Sequence, residues 1–244
     1  MCTLAVALQG DSRWPLVVAA NRDERLDRPS EGWALRETAG GVRLAAPRDL
    51  VAGGTWIGVS ASAMFAAVTN HHVVEPGFPD PRRRTRGQLV GRALEHATVE
   101  AARAELSRVD AAAYNPFHLL VADAHRAFLW WYDGRDSAVD DLAPGLHVVT
   151  ESRHDGLEPR GELVRARWPL EPDPARLRGL LAIHLPGRTG TCIHAGPTYG
   201  TRSSTVLRLS AGLASSDLFV ADGSPCTSPL EDRSRLLVAL SASP

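Results

Sequence analysis

Lysine is absent from this sequence: all 27 basic residues are arginine. That excludes Schiff-base catalysis, pyridoxal phosphate attachment and the phosphate-loop lysine. Charge of one sign is not in excess either. Twenty-eight acidic residues leave a net charge of -1 and a pI of about 6.8, so no basic field exists to hold nucleic acid. Cysteine occurs three times, at 2, 192 and 226, which is too few and the wrong parity for a disulfide framework. No run of about 18 apolar residues occurs, and no basic segment leads into an apolar one ahead of a cleavage site. The expectation is a soluble protein of a reducing compartment, the cytoplasm, without membrane insertion. Asparagine is also scarce: Asn21, Asn70 and Asn115 are the only three, each at the edge of a strand-like run.

What is present suits one large domain over residues 1–244, since 44% apolar and 23% charged residues are ordinary for a packed globular chain. The first 24 residues organise it. Leu4, Val6 and Leu8 alternate onto one face with Cys2. Gln9–Arg13 is polar and carries a glycine, and Leu16–Ala20 is an apolar return strand. A turn between Asp11 and Ser12 sets Cys2 opposite Asn21 to within two residues. Arg22 and Asp23 then come back beside the chain start. Methionine ahead of a small residue is normally trimmed in cells, which leaves Cys2 with a free α-amine. That amine can act as base for its own thiol, with Arg22 lowering the thiol pKa and Asp23 holding the amine. A buried, inert cysteine is the alternative for Cys2.

Further on, Arg25–Glu31 reads as loop and Trp33–Leu50 as short and mixed. Trp56–Val59 and Met64–Thr69 read as a strand pair ending at Asn70. Arg82-Arg83-Arg84 is a solvated loop or an electropositive flap. Thr85-x-x-Gln88 is a capping-box pattern ahead of a helix to about Glu95, and Thr98–Val109 is a second helix. Phe117–Ala122 and Ala127–Tyr132 flank a turn, with Trp130-Trp131-Tyr132 as sheet packing. Leu146–Thr150 is a strand, and Glu158–Trp168 and Asp173–His184 are helices. Thr205–Leu209, Leu218–Ala221 and Leu236–Leu240 complete the sheets. His71-His72 cannot easily serve one metal, because adjacent residues on an extended chain face opposite ways. Cys192-Ile193-His194 offers two ligands where zinc needs three or four, so no metal is expected.

Met1-Cys2-Thr3-Leu4, Ala19-Ala20-Asn21-Arg22-Asp23-Glu24, Arg28-Pro29, Gly53–Gly58, Thr69-Asn70, Arg86–Val90, Tyr114–Leu119 and Tyr199–Arg202 resemble, in order, the motifs of the NRDE family. That family includes the transport and Golgi organisation protein 2 group and is similar to N-terminal nucleophile hydrolases of the bile-salt hydrolase and penicillin V acylase type. The resemblance implies an α+β fold, a four-layer αββα sandwich with Cys2 at the end of a central strand. It implies a hydrolase of a small non-peptide amide or thioester. Cys2 is then the nucleophile, Arg22 and Asp23 orient, and Asn70 donates to the oxyanion. Asn21 and Asn115 join as ligand-binding residues. Related hydrolases carry an Asn just after the strand that here ends at Thr150; none is present, which shifts its task to Thr150 or Ser152. Arg202 is a further candidate cation. No cofactor is expected. The alternative is a non-catalytic carrier on the same fold, holding haem or a lipid or acyl-CoA-type ligand. Without a C-x-x-C-H motif, haem would be held reversibly, with His71, His72 and His194 the histidines nearest the proposed site in sequence.

Overall fold

The computed structural model describes residues 2–74 and 78–242. In chain order the first six strands are β1 (Cys2–Leu8), β2 (Leu16–Arg25), β3 (Ser30–Glu37), β4 (Arg43–Asp49), β5 (Ile57–Ser60) and β6 (Phe65–Asn70). Helices α1 (Gly87–Leu94) and α2 (Val99–Leu106) follow, then β7 (Phe117–Ala122), β8 (Ala127–Tyr132), β9 (Ser137–Asp141) and β10 (Gly145–Thr150). Helices α3 (Pro159–Arg167) and α4 (Pro174–Leu181) lead to β11 (Tyr199–Leu209), β12 (Asp217–Ala221), the short β13 (Glu231–Asp232) and α5 (Arg235–Ser241).

Among the described residues the strands form two antiparallel sheets, ordered β10-β1-β2-β11-β12-β13 and β3-β4-β5-β6-β7-β8-β9. Strand alternation sorts side chains into three apolar layers. Leu4, Val6, Leu8, Leu16 and Val18 meet Ile57, Val59, Phe65, Leu120 and Leu129 between the sheets. Ala5, Val17, Ala19, Val148 and Val206 face the other way, under Val164, Leu177 and Leu181 of α3 and α4. Leu89, Val90, Leu94 and Leu106 of α1 and α2 cover Ala66, Phe117, Leu119 and Trp130 on the outer face of the second sheet. The result is the expected helix–sheet–sheet–helix sandwich.

The N-terminal hairpin pairs Leu8 with Leu16 and Cys2 with Arg22. Its connection is a seven-residue loop rather than a tight turn at 11–12, because Gln9 N–H donates to the Pro15 carbonyl (2.7 Å) and Asp11 Oδ1 accepts from Arg13 and Trp14 N–H. The register therefore lies one residue from the centre of the sequence expectation. The two sheets are also joined at the site end, where His72 N–H donates to the Glu151 carbonyl at 2.6 Å.

Three local expectations are corrected, and one strand absent from the sequence reading is added. Residues 30–49 form β3 and β4, an edge pair whose mixed burial hid the alternation. Strand β9 was missed for the same reason. The Thr85 side chain does not cap α1, whose N-cap is Arg86 without a side-chain bond. Residues 236–240 are helical: Leu237 and Leu240, three apart, are buried while Val238 is exposed.

Candidate functional site

The ends of β1, β2, β6 and β10 and the start of β11 meet at one open end of the sandwich. A cleft of about 380 Å³ lies there, with Cys2, Arg22, Asp23, Trp56, Asn70, Arg83, Arg84, Arg86 and Asn115 in its wall. A second lobe shares Asn70, Arg86 and Asn115 and continues to His71, His72, Glu151, Ser152 and Tyr199.

Cys2 is half-buried, and its thiol donates to the Asp23 main-chain carbonyl at 3.9 Å. Burial pushes its pKa up, and the carboxylates of Asp23 and Glu151 push the same way. Arg22, its cross-strand partner, pulls the other way without reversing this, so the thiol pKa is raised overall. The resting group is a thiol that needs a base.

Arg22 is 7% exposed. Its guanidinium lies over the Trp56 ring at 4.1 Å and reaches Glu24 and Asp49 only at 3.8 and 3.9 Å. Among the described residues its Nη1 has no hydrogen-bond partner. Arg28 takes Asp49 more closely, at 2.8 Å. Backbone packing fixes these side chains: a Cβ on Gly54 would stand 2.7 Å from the Gly87 carbonyl carbon, and one on Gly87 2.9 Å from Thr55 N. The Gly53–Gly58 and Arg86–Val90 motifs thus touch main chain to main chain, bringing Trp56 and Arg86 to one cleft. Arg86 is anchored by its bond to the Pro116 carbonyl (3.0 Å).

Asp23 is 4% exposed and accepts from Thr201 Oγ1 at 2.6 Å, while Tyr199 OH donates to its main-chain carbonyl at 3.1 Å. Burial raises its carboxyl to about 7, against the pull of the Thr201 bond. Glu151 is held beside it by Arg160, at 3.2 Å, and Arg160 also donates to the Arg188 carbonyl. None of Trp56, Arg28, Asp49, Glu151 or Arg160 is given a role by the sequence. Arg28, Trp56, Arg86, Tyr199 and Thr201 do lie inside the matched motifs, which is the available signal.

The remaining sequence candidates separate. Asn70, at the end of β6, is exposed and lines both lobes. Ser152 is exposed in the second lobe. Asn21 points to the helix side instead: its Nδ2 donates to the Leu181 and Thr191 carbonyls (2.9 and 2.8 Å) and its Oδ1 accepts from Ser204. Asn115 spends both amide atoms on the Asp80 backbone. Thr150 is buried, and its Oγ1 bonds the turn at Ser152 and Arg153. Arg202 is the bulged residue of β11, between Thr201 and Ser203, and is not in the wall of either lobe. Asn115 still lines both lobes, whereas Asn21, Thr150 and Arg202 lie outside their walls, and the protein itself engages the polar groups of Asn21, Asn115 and Thr150. Met1, whose removal the sequence predicts, lies outside the described residues.

His71 stacks on His118 (centroids 4.3 Å apart), and His118 lies 5.2 Å from His154. Burial lowers all three pKa values, that of His118 to about 2, so the stack is neutral. No helix among the described residues is long and apolar enough to cross a membrane.

The family model described as Transport and Golgi organisation 2 matches residues 1–169. The Transport and Golgi organization protein 2 homolog of Bos taurus is 29% identical over 237 residues, covering 80% of this chain and 82% of that protein. The Homo sapiens homolog is 33% identical over 147 residues, 56% of this chain and 50% of that protein. Among solved structures, penicillin V acylase from Agrobacterium tumefaciens aligns with a TM-score of 0.59 at 16% identity, over 97% of this chain and 88% of its own. The Caenorhabditis elegans N-acylethanolamine-hydrolyzing acid amidase ortholog gives 0.56 at 15%, over 85% and 92%. The C2A mutant of conjugated bile acid hydrolase from Clostridium perfringens gives 0.57 at 10%, over 100% and 95%. At such identities the likeness is one of fold, that of the N-terminal nucleophile hydrolases.

Proposed function

This chain belongs to the Transport and Golgi organisation 2 family, and from that premise we propose that it is an N-terminal cysteine hydrolase of a small non-peptide amide or thioester bearing an anionic group. The observation that carries the reading is the pairing of Cys2 with Arg22 at the foot of the cleft, with Asp23 fixed next to them by Thr201. Removal of Met1 frees the Cys2 α-amine. Cys2 Sγ adds to the substrate carbonyl carbon while its proton passes to that amine. The carbonyl electron pair becomes an oxyanion, which takes hydrogen bonds from the Asn70 amide. Collapse expels the amine or thiol, and the α-ammonium returns the proton to it. Water then repeats the sequence on the acyl-enzyme, releasing the acid and restoring the thiol. The raised thiol pKa supports this order, because a protonated nucleophile needs a base at hand.

The anionic group follows from the wall. Arg22, Arg28, Arg83, Arg84 and Arg86 outnumber Asp23, Glu24, Asp49 and Asp80, and Arg22 Nη1 is buried without an acceptor among the described residues. Of Thr150 and Ser152, the two candidates for the task of the absent Asn, Ser152 lines the second lobe.

A carrier of haem or an acyl-CoA-type ligand is the second reading. The observation that favours it is His71, which lines the second lobe with its Nδ1 buried and unpartnered among the described residues, as an imidazole free of its proton can ligate iron. A screen of anionic and neutral acyl amides and thioesters, with wild type, Cys2→Ala and Asn70→Ala, beside a haem titration, tests the two. The hydrolase reading expects Cys2-dependent turnover that falls about 10²–10³-fold in Asn70→Ala. No Cys2-dependent turnover together with saturable haem binding would leave the carrier reading.

A further inference from the structure

On the far side of Thr201 from the cleft, two cysteines and two histidines from three separate segments converge. His184 follows the C-terminus of α4, Cys192 and His194 lie on the chain leading into β11, and Cys226 lies in the loop after β12. Their ligand atoms all lie within 4.8 Å of one another. Cys192 Sγ is 3.7 Å from Cys226 Sγ and 3.7 Å from His194 Nε2, and His194 Nε2 is 3.3 Å from Cys226 Sγ. All three cysteines are free thiols.

We propose that His184, Cys192, His194 and Cys226 form a closed tetrahedral site for a zinc ion. A tetrahedron with Zn–S of about 2.3 Å and Zn–N of about 2.0–2.1 Å has edges of about 3.8 Å between sulfurs and about 3.6 Å between sulfur and nitrogen. The observed 3.7, 3.7 and 3.3 Å are these edges to within a few tenths of an ångström. Two thiolates and two imidazoles are the donor set that selects zinc over magnesium or calcium. Four protein ligands leave no open position, so the ion is structural rather than catalytic. Binding takes both cysteines as thiolates and so releases their protons.

The site has something to hold. None of its four residues is in the wall of either lobe of the cleft. Yet Ile193, between two ligands, donates its N–H to Thr201 Oγ1 at 2.8 Å, and Thr201 in turn donates to Asp23. A Cβ on Gly200 would stand 2.6 Å from the Ile193 carbonyl, so this segment lies hard against the start of β11. Zinc would tie α4, the β11 approach and the loop after β12 into one support under Asp23. In sequence the ligands are scattered, Cys226 lying 34 residues after Cys192, which is why Cys192-Ile193-His194 looked incomplete.

The test is metal analysis of the full chain purified without chelator. About one zinc per chain is expected in wild type and in Cys2→Ala, falling below about 0.1 in Cys192→Ser/Cys226→Ser. His184 is exposed, so His184→Ala removes a ligand with little change in packing; zinc affinity should fall at least about tenfold. Should the double variant fail to fold, cobalt added to metal-free wild type supplies the reading, as the intense visible bands of a tetrahedral thiolate complex. Metal-free wild type with free thiols that gives no such bands would overturn the proposal. So would zinc retained equally in the variants.

Discussion

Replacing Asn21 by alanine separates a structural asparagine from a ligand-binding one. Asn21 is 2% exposed, and its amide makes three hydrogen bonds: two donated to the Leu181 and Thr191 carbonyls, one accepted from Ser204. All three partners are themselves buried, so none turns to water when the amide is removed. A buried polar group left without a partner costs about 1–3 kcal/mol. The Ser204 hydroxyl can rotate, which puts the total at about 3–5 kcal/mol. Against a domain stability of about 5–15 kcal/mol this is a large fraction. Equilibrium urea unfolding reads it as a fall in midpoint of about 1–2 M at an m-value of about 2–3 kcal/mol per M. Any fraction that folds should keep the KM of wild type. A stability loss under about 1 kcal/mol, joined to a raised KM, would refute the reasoning and return Asn21 to the binding site.

The other consequences are as direct. Asp23, at about 7 in the fold and near 3.8 when unfolded, holds its proton between those values while the unfolded chain releases it, so its contribution weakens as pH rises from about 4 to 7. Asp23→Asn should gain on wild type across that window by up to about 4 kcal/mol in urea midpoints converted to stability, and parallel pH profiles would contradict it. Gly54→Ala should lower stability by about 1–3 kcal/mol, read as a drop in Tm, because the added methyl meets the Gly87 backbone rather than a flexible side chain. Arg22→Ala should slow Cys2 alkylation at pH 7 by about 3–10-fold in folded protein; an unchanged rate would mean the pairing of Cys2 with Arg22 has no electrostatic consequence.

How much of this was legible follows from where the information lies. The N-terminal hairpin could be read because Leu4, Val6 and Leu8 alternate against a charged loop, and local register needs only the loop. β7 and β8 are apolar runs on either side of a polar turn, and their bounds were read to the residue. Strands β3 and β9 could not be read, since they sit at the sheet edges where burial does not impose a period of two. Residues 236–240 are apolar throughout, so composition alone cannot separate helix from strand there. The site divides likewise. Cys2, Arg22 and Asp23 are near neighbours through one hairpin, whereas Asp49 and Thr201 reach Arg22 and Asp23 across longer stretches of chain, and the Glu151–Arg160 pair comes to Asp23 from a separate part of the chain. The scarcity of asparagine marked three residues alike. Only the fold shows that Asn70 and Asn115 line the cleft, Asn115 with its amide bound to the Asp80 backbone, while Asn21 bonds the helix side.

The central claim is that Cys2 is an N-terminal nucleophile. Its most direct test is the intact mass of native protein quenched in acid during turnover of an anionic acyl thioester, followed by peptide mapping. The account predicts a chain lacking Met1 that carries a single acyl group on Cys2, absent from Cys2→Ala. Met1 retained on most of the protein, or acylation found equally at Cys192 or Cys226, would contradict it.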